Sequence, residues 1–124
     1  MSFIPYGRQE ISPADIEAVK NALESDYLTQ GPSVPAFEAS ISTYCDVQFA
    51  CAVNSATSAL HIACLALGVG PGDIAWTSTI SFVASSNCVL YCGAEVDFVD
   101  IDAQSANMCP NALEAKLMEA EKTG

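Results

Sequence analysis

Apolar residues recur along this chain with two different patterns, and the change between them divides it. Ile16, Val19 and Leu23 fall three and four positions apart, the spacing of one helix face. Ser12 stands where an N-cap is wanted and Pro13 takes the first helical position. Asp15 sits in the first turn, where the helix dipole favours a negative charge. Ile11 and Ile16 have the spacing of a hydrophobic staple, and the pattern stops in SDYLTQGP, a Gly-Pro turn. A second helix is predicted from about Pro35, with Val34, Phe37, Ile41 and Tyr44 along one side.

From Phe49 the pattern shifts. FACAV is a short continuous apolar run, the form of a strand covered on both faces. NSATS then turns the chain into a helix with Leu60, Ala63, Cys64 and Leu67 on one side, and GVGPGD breaks it. IAWT reads as a second strand and Ser81 to Leu90 as a helix closed by Cys92-Gly93. EVDFVDID is a third strand, and Pro110 to Lys122 a last helix with Leu113, Leu117 and Ala120 inward. Strands alternating with helices, after two leading helices, predict an α/β fold with a parallel sheet and crossover helices.

Composition narrows the function. The 124 residues are 51% hydrophobic, which predicts a buried core and excludes a disordered tail. Fifteen acids against four bases (Arg8, Lys20, Lys116 and Lys122) leave a net charge of −11. Such a chain repels phosphate backbones, so neither a nucleic acid nor a membrane surface is an expected partner. No apolar run has the length of a spanning helix, MSFIPYGRQE does not read as a signal peptide, and the expected setting is cytoplasmic. Of six cysteines only Cys88 and Cys92 are close, without a second pair or a His at metal-ligand spacing. Buried, unpaired thiols are expected and no metal site is.

The most informative stretch is Val53 to Leu60, in which Ser55, Thr57 and Ser58 cluster at a strand-to-helix turn. Free backbone N–H groups and the positive end of a helix dipole meet there, so the turn can bind a phosphate without Lys or Arg. Ordinary N-capping by Ser55 or Thr57 is the alternative. The stretch is no P-loop, lacking Gly-Lys-Ser/Thr, and GVGPG follows a helix where a dinucleotide fingerprint precedes one. Phe82 follows the second strand, where α/β folds place ligands; it can lie flat against a planar ring, although a core Phe is the commoner case. Asp97, Asp100 and Asp102 read as a solvated strand exit before a metal site, and His61 as a polar helix-face residue. Tyr6 and the Asp26-Tyr27-Leu28-Thr29 loop are rich in donors and acceptors.

Together IPYGRQ, DYLTQGP, VNSATSALHIACLALGVGPGD, SFVAS and CGAEVDFVDID resemble the sugar-nucleotide aminotransferases of the DegT/DnrJ/StrS type, from Ile4 to about Lys122. Within that family IPYGRQ, SDYLTQGP and NSATSALHIA look most like the branch serving pseudaminic acid biosynthesis. That branch aminates a UDP-linked 4-keto-6-deoxy amino sugar, with glutamate as donor. The resemblance implies a pyridoxal 5′-phosphate (PLP) enzyme of fold type I, homodimeric, whose large domain is a mostly parallel sheet. It implies that residues 1–46 form a helical segment with a substrate loop, and that 47–124 form the first part of the PLP-binding domain, β-α-β-α-β-α. By the same resemblance Ala56 and Thr57 cradle the cofactor phosphate and Phe82 stacks on the pyridine ring. Tyr6, Asp26, Tyr27, Leu28 and Thr29, with Ala56, contact the sugar nucleotide.

The resemblance also implies what these residues lack. The family's Schiff-base lysine and the aspartate that holds the pyridinium nitrogen fall beyond position 124, and Lys20, Lys116 and Lys122 lie on helices outside any such motif. No catalytic residue is therefore expected here, and the chain alone is expected to be an inactive N-terminal fragment. In the family sheet the first strand pairs with one from much later in sequence, so FACAV is expected to have unpaired edges. Thr79 stands where the family usually has Pro, and Cys45-Asp46 replaces a common small-residue turn. A same-fold sugar dehydratase, a stub that pairs with a complete subunit, and an unrelated phosphate-binding module remain as alternatives.

Overall fold

The structure, a computed structural model, describes residues 7–123, without the Thr123 side chain, so Tyr6 lies outside the described residues. They fall into two compact units, one ending at Ala52 and one beginning at Val53.

The first unit holds α1 (Pro13–Glu24) and α2 (Ser33–Cys45). Ser12 caps α1 as its position predicts. Its hydroxyl accepts from the Asp15 N–H at 3.3 Å, and Asp15 Oδ2 accepts from the Ser12 N–H at 2.7 Å. The Ser12 N–H, and then its hydroxyl, hold the Asp15 carboxyl below the usual carboxylate range. The Ser25 hydroxyl ends α1 by donating to the Ala22 carbonyl at 2.8 Å. The two predicted stripes have the right period but no cover. Ile16, Val19, Leu23, Val34 and Phe37 are all exposed, and neither helix buries a residue.

Asp46 ends α2 in the left-handed region, at φ 52°. Only glycine takes this conformation without steric cost. Asp46→Gly is therefore expected to stabilise the α2 terminus by about 0.5–1 kcal/mol, read as slower amide exchange at Val47, which donates to the Ser42 carbonyl at 3.0 Å. Unchanged or faster exchange would refute the strain.

The second unit runs α3 (Ala56–Ala66), β1 (Ile74–Ser78), α4 (Ala84–Tyr91), β2 (Glu95–Val99) and α5 (Pro110–Thr123). β1 and β2 pair in parallel with Ile74 opposite Glu95 and Ser78 opposite Val99, joined through α4, as the alternation predicts. α4 packs on α3 and on both strands, and α5 packs on β2. The core is small. Cys88, Val89 and Ala94 form its centre, with Cys64, Val69, Ala75 and Val96 packed around them. Ala84 and Val99 are the other buried apolar residues among those described, Val99 at 2% exposure.

Three expectations need correction. Residues 49–53 form no strand and have no ladder partner among the described residues, so the unit opens on a helix and its sheet has two strands. A ladder needs a neighbouring strand, and none of the described residues forms one beside this run; the Ala52 N–H donates instead to Glu38 Oε1 at 2.8 Å. The core is smaller than a half-apolar composition predicts, and Leu60, Leu67 and Leu117 lie open to solvent. The cysteines are free thiols, but only Cys88 is buried. Cys64, Cys92 and Cys109 are partly covered, and Cys45 and Cys51 exposed.

One polar cluster ties α5 to the sheet. Lys116 Nζ lies 2.5 Å from Asp97 Oδ2, donates to the Phe98 carbonyl at 2.7 Å, and sits 5.7 Å from the Trp76 ring centroid. Lys116, and secondarily the Phe98 N–H, hold the Asp97 carboxyl below its ordinary value. The unfolded chain therefore takes up the proton at higher pH than the folded one. The contribution of Asp97 is complete above an ordinary carboxylate pKa of about 4 and is lost as pH falls through the depressed folded value. Carboxyl-carbon NMR of Asp97 should show this low titration, and Lys116→Met should return it to the ordinary range; a normal wild-type titration would contradict the pairing. Among the described residues no helix is long and apolar enough to cross a membrane.

Candidate functional site

The N-terminus of α3 separates capping hydroxyls from free donors. Ser55, extended at φ −161° and ψ 157°, is the N-cap, and its Oγ accepts from the Ser58 N–H at 3.1 Å. The Ser58 hydroxyl donates to Asn54 Oδ1 at 2.7 Å and lies 3.0 Å from the Ser55 hydroxyl. Both serines are thus used by their own turn. The Ala59 N–H closes the first helical bond, to the Ser55 carbonyl at 3.1 Å. Ahead of it, the N–H groups of Ala56 and Thr57 have no partner among the described residues, as the first donors of a helix must without a ligand. The half-buried Thr57 makes no side-chain hydrogen bond either. Two adjacent N–H groups, one hydroxyl and the positive dipole end make a receptor for an anion.

Phe82 lies in the segment from the carboxyl end of β1 into α4. It is 75% exposed, so the core reading fails and its ring has a free face. It borders a cavity of about 220 Å³ with Thr77, Ser78, Thr79, Ser81, Val83, Ser85, Ser86 and Phe98. The Ser81 and Ser85 hydroxyls lie 2.7 Å apart, fixing the entry into α4. This cavity opens at the end of a parallel pair where α/β folds present ligand loops. Ala56 and Thr57 are not in its lining. Sequence reading missed Phe98 and the surrounding hydroxyls. Phe98 joins them because β2 sets it opposite Thr77, and alternation within EVDFV alone does not reveal that register.

In the first unit the Asp26–Thr29 loop is shaped by Ser25, whose hydroxyl accepts from the Tyr27 N–H at 3.3 Å and lies 3.0 Å from the Tyr27 carbonyl. Tyr27 and Leu28 line a pocket of about 150 Å³ with Ala22, Leu23, Gln30, Gly31, Ser33 and Val34; Asp26 and Thr29 do not. Gly31 is required by closeness, since a Cβ there would lie 2.6 Å from Tyr27 Cβ. Gly31→Ala should therefore displace Tyr27 and cost about 1–3 kcal/mol if the loop cannot yield. Unshifted Tyr27 ring resonances in the variant would refute this.

The remaining candidates are engaged locally. Asp100 Oδ1 accepts from the Ile101 N–H at 2.8 Å, and Asp102 Oδ1 from the Ser105 N–H at 2.9 Å and its hydroxyl at 3.0 Å. Those Ser105 bonds hold the Asp102 carboxyl below its usual range. Among the described residues no group of three or more His, Cys, Asp or Glu side chains could hold a metal. His61 meets Tyr91 edge-on at 5.4 Å between ring centroids. Lys20 pairs with Glu17 at 3.4 Å, one turn away on α1.

Comparison with known proteins gives this arrangement a context. The sequence profile of the DegT/DnrJ/EryC1/StrS aminotransferase family matches residues 9–123. The spore coat polysaccharide biosynthesis protein SpsC of Bacillus subtilis is 38% identical over 97% of this chain and 31% of its own length. A UDP-4-amino-4,6-dideoxy-N-acetyl-beta-L-altrosamine transaminase of Campylobacter jejuni is 41% identical over 94% of this chain and 30% of its own. The chain thus spans about a third of the length of these relatives. Among solved structures, Spr1654 of Streptococcus pneumoniae, described as a sugar aminotransferase, superposes with a TM-score of 0.83 at 33% identity. The match covers 90% of this chain and 29% of that one in its PLP form, and a PMP form of the same protein is equally similar. With its profile matched almost end to end and its fold shared, the chain belongs to the DegT/DnrJ/EryC1/StrS aminotransferase family.

Proposed function

We propose that this chain supplies the phosphate- and ring-binding part of a PLP-dependent transaminase that moves an amino group from glutamate to a UDP-linked 4-keto-6-deoxy amino sugar. The observation that carries the reading is the pair of N–H groups at Ala56 and Thr57 that, like the Thr57 hydroxyl, have no hydrogen-bond partner among the described residues. That donor set fits a phosphate dianion and needs no cationic side chain, which suits a chain of net charge −11. When bound, PLP supplies an electron sink for exchange of the amino group. The part of these residues is to bind and orient. Ala56 and Thr57 would hold the phosphate through their N–H groups and the Thr57 hydroxyl, and the exposed face of Phe82 would cover the ring.

Tyr6, Asp26, Tyr27, Leu28 and Thr29, with Ala56, are assigned to the sugar nucleotide on the family resemblance. The donor-rich character of that loop supports the assignment. Lys20, Lys116 and Lys122 receive no catalytic role; the first and second are already paired with Glu17 and Asp97. The setting proposed is cytoplasmic, the assembly a homodimer, and the pathway that of pseudaminic acid.

The test uses the protein at its full encoded length. PLP titration should give saturable binding weakened by inorganic phosphate. Incubation with glutamate and the UDP-4-keto-6-deoxy-N-acetyl amino sugar should yield the 4-amino sugar and 2-oxoglutarate, read by mass spectrometry. Loss of a sugar hydroxyl without gain of nitrogen would replace transamination by dehydration. PLP binding insensitive to phosphate would remove the assigned cradle.

A further inference from the structure

Packing does not hold the ring of Phe82. It is 75% exposed, whereas Ala84, two residues on, is 5% exposed and opens α4 against the core. The helix start is therefore anchored, and the ring is aimed only by the backbone that carries it. A ring left free loses rotamer freedom when a ligand orders it, and that loss weakens binding.

Hydrogen bonds brace the backbone on both sides of Phe82. Val83 takes the N-cap position of α4 and supplies no side-chain cap. The Ser85 N–H donates to the Phe82 carbonyl at 2.9 Å. Over the same stretch the Ser81 and Ser85 hydroxyls lie 2.7 Å apart, the length of an O–H···O bond. Ser81 precedes Phe82 and Ser85 stands in the first turn of α4, so this bond spans Phe82. Neither hydroxyl has another hydrogen-bond partner among the described residues. Upstream, the Thr79 N–H donates to the Val99 carbonyl at 3.3 Å and ties the segment to the sheet. Ser86 gives the contrast, since its hydroxyl donates to the Val83 carbonyl at 2.9 Å, inside its own turn.

We propose that Ser81 and Ser85 are positioning residues, a hydroxyl bridge that holds Phe82 in the attitude in which its face meets a planar pyridine ring. The inference rests on the stacking role proposed for Phe82. The bridge acts through Phe82: it fixes the backbone around that residue, so that the ring is ordered before a ligand arrives. Ala56 and Thr57 lie outside the lining of the cavity that holds both serines, so the phosphate donors do not depend on the bridge. Loss of one hydroxyl should therefore weaken PLP binding by about threefold to tenfold, the range of one neutral hydrogen bond, and leave the affinity for inorganic phosphate unchanged.

The test uses the protein at its full encoded length and has two readouts. In the first, 4-fluorophenylalanine replaces Phe82 and fluorine NMR is recorded without ligand. One narrow resonance is expected, broadened or split by Ser81→Ala and by Ser85→Ala, and retained in Ser81→Thr and Ser85→Thr. In the second, PLP and inorganic phosphate are titrated separately. The double alanine variant should bind PLP no worse than either single one, because both break the same bond, and neither serine should matter once Phe82 is alanine. A fluorine resonance unchanged in both alanine variants would overturn the proposal. So would serine effects that persist in Phe82→Ala, which would mean direct contact with the ligand, or an equal loss of phosphate affinity, which would mean general damage. Wild-type protein that bound no PLP would remove the cofactor reading, and the fluorine spectra would still decide whether the bridge orders the ring.

Discussion

Thr57→Ala, in the protein at its full encoded length, is expected to weaken PLP binding by roughly tenfold to a hundredfold. A hydrogen bond to an ionised acceptor contributes about 1.5–3 kcal/mol, and each 1.4 kcal/mol or so is a factor of ten in affinity. The Thr57 hydroxyl makes no other bond among the described residues, so its removal should act on the ligand and leave the helix intact. Thr57→Ser should retain most of the affinity by keeping the hydroxyl, whereas Thr57→Val keeps the shape and should fail like alanine. Ser55→Ala is the informative contrast. It removes the cap that accepts from the Ser58 N–H, so it should lower stability by about 1 kcal/mol and disturb binding less. A fluorescence titration of PLP at fixed ionic strength, beside a thermal melt of each variant, separates the two effects. If Thr57→Ala bound PLP as tightly as the wild type, the hydroxyl would have no place in the cradle.

The second large effect concerns the core. Val99→Asp is expected to destabilise the fold by about 3–5 kcal/mol, because it places a carboxylate without a partner where the side chain is 2% exposed. Val99 ends β2 opposite Ser78, and its carbonyl accepts from the Thr79 N–H at 3.3 Å, so the same position holds the loop that leads to Phe82. Val99→Ala leaves a smaller defect and should cost about 1–2.5 kcal/mol. Denaturant unfolding of the full-length protein would register both, and PLP binding should fall with Val99→Asp under conditions where Val99→Ala still binds. Equal tolerance of aspartate and alanine would mean that Val99 is not packed as described.

The local features were legible in the sequence for one shared reason: each depends on neighbours within a few residues. Ser12, Pro13 and Asp15 announce the start of α1, and the structure closes the capping box between them. Asn54-Ser55-Ala56-Thr57-Ser58 marks a helix start with hydroxyls, and the structure separates the capping serines from the open Ala56 and Thr57 donors. The strands at IAWT and EVDFVDID follow from apolar runs after Gly turns, although the second ends at Val99 and not at Asp102. Their parallel pairing follows from the helix between them, since a parallel crossover needs one.

What failed was whatever depends on a distant partner. FACAV has the composition of a covered strand, but a strand exists only through its neighbours' hydrogen bonds, and none of the described residues provides them. The Ile16, Val19 and Leu23 stripe is readable, yet periodicity says which face is apolar and not what lies on it. Exposure of Phe82, the placement of Phe98 beside the loop hydroxyls, and the packing of Cys64 against the Cys88, Val89 and Ala94 cluster are of the same kind. By itself the sequence determined the order of the five helices and of the two strands between them, a hydroxyl-rich helix start at Ser55, and how scarce positive charge is. Only the tertiary structure decided which side chains meet and which stay open, because register and helix packing join residues whose separation along the chain carries no record of their contact.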